Sequence, residues 1–67
     1  MITLGEALPK EIERVRKLIV LYEDVPMGRI AAARMRKDVI DAQQAINSGD
    51  LAAMITSYSS LKEWQDD

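Results

Sequence analysis

Ile46-Asn47-Ser48-Gly49-Asp50-Leu51 decides the fold, because within six residues it stops one helix and starts another. Gly49 can take the left-handed conformation that closes a helix C-terminus. Asp50 can then accept a hydrogen bond from the free amides of the next helix. The chain is therefore an articulated set of helices.

Upstream of this corner, Ala32, Met35, Val39, Ala42 and Ile46 recur at helical spacing with Ala31 beside them, predicting a helix over about 29–47. The alanines permit close approach by a neighbour. Val25-Pro26-Met27-Gly28 interrupts the pattern, since proline disfavours a helical conformation at Val25 and glycine tolerates a tight return. A helical hairpin is expected there. Its first arm runs over about 9–24, with Pro9 at the first helical position, where a missing amide hydrogen costs nothing. Thr3 and Glu6 have capping-box spacing, but Gly5 and Pro9 argue against one long helix from that point, leaving residues 1–8 unassigned. Leu8, Ile12, Val15, Ile19 and Tyr22 form the core face, widened by Leu18 and Val25. Val20 and Leu21 spill beyond it, so a second surface is expected to be buried at that end.

Downstream, a helix over about 50–64 carries Leu51, Met54, Ile55, Tyr58 and Leu61 on one side, with Trp64 off the stripe. Asp66 and Asp67 oppose the macrodipole, which predicts a frayed last turn. The expected fold is an all-α, single three-helix domain spanning 1–67: an antiparallel hairpin with a third helix folded back across it.

Sixty-seven residues bury little surface, roughly 60% of what the unfolded chain exposes. With no Cys or His, disulfides and soft-metal sites are unavailable, so pairing into a dimer is the remaining common source of stability. A net charge of −2 gives no general attraction to phosphate backbones or anionic lipid. The longest apolar run, Leu18 to Tyr22, is far shorter than the ~20 residues that cross a bilayer. No basic segment followed by an apolar one marks the N-terminus, and a cytoplasmic location is expected.

Catalysis would have to come from carboxylates, but Glu11, Glu13, Glu23, Asp24, Asp38 and Asp41 fall mainly on polar helix faces, without His, Cys, a phosphate loop or a serine nucleophile motif. They are read as solvated, with Glu13 and Lys17 as a supporting i,i+4 pair, and no enzyme, cofactor, metal or small-molecule substrate is expected. DNA binding is suggested by Ala45 and Gly49, four apart as in many helix-turn-helix motifs. Asp50 stands where that motif is usually apolar, and Leu51 to Ser60 offer no Arg, Lys, Asn or Gln to read bases, so a plain helical corner is preferred.

Protein binding has the clearest sequence support. Arg29, Ile30, Ala33, Arg36, Lys37 and Ile40 cluster opposite the core stripe of the second helix. Arg34 has Asp38 and Lys37 has Asp41 four residues on, whereas Arg29 and Arg36 have no acidic residue there. Either Ile30 and Ile40 cover part of a small core while the arginines solubilise it, or this mixed patch receives a second copy or an acidic protein. Tyr22 and Tyr58 are assigned to the core; Trp64 is left open between the two roles.

The string Leu8-Pro9-Lys10-Glu11-Ile12-Glu13-Arg14-Val15-Arg16, with Tyr22, Pro26, Gly28, Met35, Asp38, Ser48-Gly49-Asp50, Ala53-Met54, Tyr58 and Leu61-Lys62, resembles a family of small accessory proteins of Mu-like transposable phages and prophages. The resemblance covers nearly the whole chain and rests on caps, turns and core positions. It carries no catalytic residues. Met27 and Arg29-Ile30 stand where smaller residues are expected, which marks the face of the second helix as a point of divergence. The resemblance implies a phage-encoded inhibitor or modulator of a host defence system or regulator, acting in the bacterial host cytoplasm. A self-assembling structural component is the alternative, and a DNA-binding regulator the third.

Overall fold

A computed structural model describes residues 2–64 and contains three helices, α1 (Leu4–Glu23), α2 (Gly28–Ser48) and α3 (Leu51–Lys62), with no strand among the described residues. The expected fraying at Asp66 and Asp67 lies outside them. Leu8, Ile12, Val15, Leu18 and Ile19 of α1 meet Ala32, Met35, Val39 and Ala42 of α2 and Leu61 of α3 in one core.

The corner forms as its residues dictate. Gly49 closes α2 at φ 68°, and its amide and that of Asp50 return to the carbonyls of Ile46 and Ala45. The Asp50 carboxylate accepts the Ala53 amide at 3.1 Å and starts α3. Gly28 has a different role: a β-carbon there would stand 2.3 Å from the Tyr22 carbonyl oxygen, so the α1–α2 turn needs a residue without one.

Several expectations are corrected. Helix α1 begins at Leu4 rather than Pro9, and Pro9 lies within it. The Pro9 ring leaves the Gly5 carbonyl without an i+4 amide, but both residues are exposed, so water can take that bond. In return Leu8 is fully buried and Leu4 packs on the core. Thr3 is the N-cap, yet only its carbonyl is engaged, by the Glu6 and Ala7 amides at 3.0 and 2.8 Å; its side chain makes no cap. Val25, assigned to the core, is exposed.

A further correction concerns α3, which is rotated from its expected face. Leu51 and Ile55 are exposed, while Ser57 and Leu61 are buried and Met54, Tyr58 and Trp64 pack on the core. The small residue Ser57 lines a groove with Ala45 of α2, which is buried although it lay outside the expected stripe. This rotation brings Trp64, the largest side chain in the sequence, onto apolar neighbours and gives its indole N–H an acceptor in Asp38.

Polar contacts hold α3 against α1. Arg14 donates to the Leu61 carbonyl at 2.9 Å, which also accepts the Trp64 amide at 3.2 Å, and to Glu11 at 2.6 Å. Lys62 approaches Glu11 at 3.7 Å. Helix α3 is short. Its 12 residues span about 18 Å, against about 30 Å for α1 or α2, and its end lies beside Arg14 and Asp38, near the middle of each. The radius of gyration, 12.0 Å, accordingly exceeds the about 11 Å of a compact domain of this length.

Candidate protein-binding surface

Helix α2 buries one side and turns the other to solvent. At about 100° per residue, Arg29, Ile30, Ala33, Arg36, Lys37 and Ile40 fall within an arc of roughly 120°. All six are exposed, with Ile30 at 72% and Ile40 at 55%. These isoleucines therefore do not close the core, which Met35, Val39 and their neighbours complete without them.

The electrostatics of this face differ from the sequence expectation. Arg36, which has no acid at i+4, pairs instead with Glu23 of α1. Lys37 makes its expected pair with Asp41 at 3.3 Å. Among the described residues Arg29 has no ion-pair partner, and neither does Arg34, because Asp38 is occupied by Trp64 rather than by the arginine four residues before it. The Glu13–Lys17 pair is also not formed. Two of the three cations on the face are thus neutralised within the chain, leaving a mainly apolar strip with one positive end.

Beside Ile40 the strip continues into a shallow groove between α1 and α2, lined by Arg16, Ile19, Arg36, Val39 and Ile40. Its lining joins three aliphatic side chains to two arginines; Arg36 is already paired with Glu23, so Arg16 is the guanidinium open to a partner's carboxylate beside an apolar side chain. A second groove, between α2 and α3, is lined by Asp38, Asp41, Ser48, Thr56, Ser57 and Ser60 among others, and holds no basic or thiol group. No protein-family model, curated protein or solved structure matches this chain. Among the described residues no three His, Cys, Asp or Glu side chains cluster as metal ligands, and no helix is long and apolar enough to cross a membrane.

The groove beside Ile40 was not legible in the sequence, since Arg16 and Ile19 belong to α1. Their spacing on α1 marks them as neighbours on one flank, but only packing shows which flank of α2 they meet.

Proposed function

We propose that this chain is a non-enzymatic protein-binding module, and that it is a phage-encoded modulator or inhibitor of a bacterial host protein acting in the host cytoplasm. The supporting observation is the exposure of Ile30 and Ile40 on one solvent-facing side of α2, beside Arg29 and the arginine-rimmed groove. Two large aliphatic side chains there contribute nothing to the core and gain from a partner that removes them from water. The phage context comes from the sequence resemblance alone.

In this proposal α1 and α2 form an antiparallel hairpin. The Glu23–Arg36 pair and the groove uniting Arg16 and Ile19 with Val39 and Ile40 support it. The domain is also proposed to dimerise, because its exposed apolar side chains outnumber those a lone copy shelters.

The test is affinity capture from bacterial lysate with wild-type protein and with Ile30→Glu/Ile40→Glu. Both positions are exposed, so the variant should keep its helical circular dichroism and lose the captured protein. Capture that survives both glutamates removes this face as the binding surface. If no lysate protein is captured and only self-association remains, the structural-component alternative takes its place.

A further inference from the structure

Among the described residues, nine large hydrophobic side chains are exposed, and five of them, Val20, Leu21, Val25, Met27 and Ile30, fall within the eleven residues around the α1–α2 turn. The cause is the short reach of α3, which stops beside Arg14 and Asp38 and leaves that end of the domain two helices thick. Two helices cannot surround a core; helical domains close theirs with further helices.

We propose that a second copy of this chain covers this end, seating its own turn and flanking helix ends against Leu21, Val25, Met27 and Ile30 through a twofold contact. The proposal gives the dimer a surface, which shares Arg29 and Ile30 with the capture face and leaves Ile40 and its groove outside it. Charge selects the occupant. Asp24 sits at the C-terminus of α1 and Arg29 in the first turn of α2, each where its own helix dipole opposes it, and neither has an ion-pair partner among the described residues; nor does Arg34. Under twofold symmetry each contact occurs twice with the roles exchanged, so Asp24 of either copy can meet Arg29 and Arg34 of the other. A patch bearing both signs complements itself, whereas a partner of single sign would leave one of them uncompensated.

A stable dimer takes about 800 Å² from each partner, about a sixth of the 4788 Å² this chain presents, and the two-helix end brings five of the nine exposed large hydrophobic side chains to it.

Sedimentation equilibrium tests the assignment. Wild-type protein should have twice the 7.5 kDa chain mass, and Leu21→Glu should be monomeric with its helical signal intact. Asp24→Lys and Arg29→Glu/Arg34→Glu should each weaken the dimer at least tenfold. Both place charge where the local helix dipole favours it or in an exposed helix interior, so lost association is not lost folding. Mixed in equal amounts the two charge variants should pair again, because each then meets opposite charge at both contacts. A monomeric wild type, a dimer indifferent to Leu21→Glu, or a mixture that fails to pair would each overturn the proposal. So would a monomer that buries Leu21 only against a foreign protein.

Discussion

Trp64 donates its indole N–H to Asp38 Oδ2 at 2.8 Å, joining the second residue beyond α3 to the middle of α2 across 26 positions of sequence. The bond lets an aromatic ring lie on the core while its one polar atom stays satisfied. It also takes Asp38 from Arg34, which faces solvent instead.

Asp38→Ala should therefore lower stability by about 1 kcal/mol, with urea unfolding as the measure. Trp64→Phe keeps most of the packing and loses the same bond. Combined in a double-mutant cycle, the two substitutions should cost less than their sum. Strict additivity would show that the bond contributes nothing.

The rotation of α3 makes Leu61 and Leu51 unequal. Leu61→Ala removes a fully buried side chain and should cost about 2–5 kcal/mol, enough to unfold much of so small a domain at ambient temperature. Leu51→Ala trims an exposed one and should stay within about 0.5 kcal/mol. Equal losses in thermal melts would restore the face expected from sequence, which carries both residues.

Glycines 5 and 28 should respond in opposite directions. Gly28→Ala drives a β-carbon into the Tyr22 carbonyl, which cannot yield without moving backbone, and a loss of about 1–3 kcal/mol is expected. At Gly5 the nearest atom is 3.9 Å from the added carbon and the site is helical, so Gly5→Ala should stabilise by about 0.5–1 kcal/mol. Midpoints of denaturant unfolding resolve both.

Glu23 and Arg36 should behave as a reversible pair. Their side chains are 37% and 51% exposed, which limits the interaction to about 1 kcal/mol or less. Either Glu23→Arg or Arg36→Glu alone should lower the melting temperature by a few degrees. The double exchange should recover most of that loss, and added salt should shrink every difference.

Much of the fold was readable because its signals are local. The Gly49 and Asp50 caps act within five residues, and the core positions of α1 and α2 repeat at the helical period whatever packs on them. The exposed α2 face followed from the same arithmetic, as the residues left over opposite the stripe. Pro9 misled because a first helical position is the commonest place for proline, and the burial of Leu8 with the packing of Leu4 on the core outweighed that preference.

The sequence by itself determined three helices, the corner between the last two, and the side of α2 that faces water, since backbone bonds, caps and side-chain periodicity are settled within a few residues. Only the tertiary structure decided which face of α3 is buried, which acid meets Arg36, and how far α3 reaches along the other helices. Those outcomes depend on atoms far apart in the chain. Ser57 of α3 shares a groove with Ala45 of α2, and the inward-packed Trp64 donates its indole hydrogen bond to Asp38.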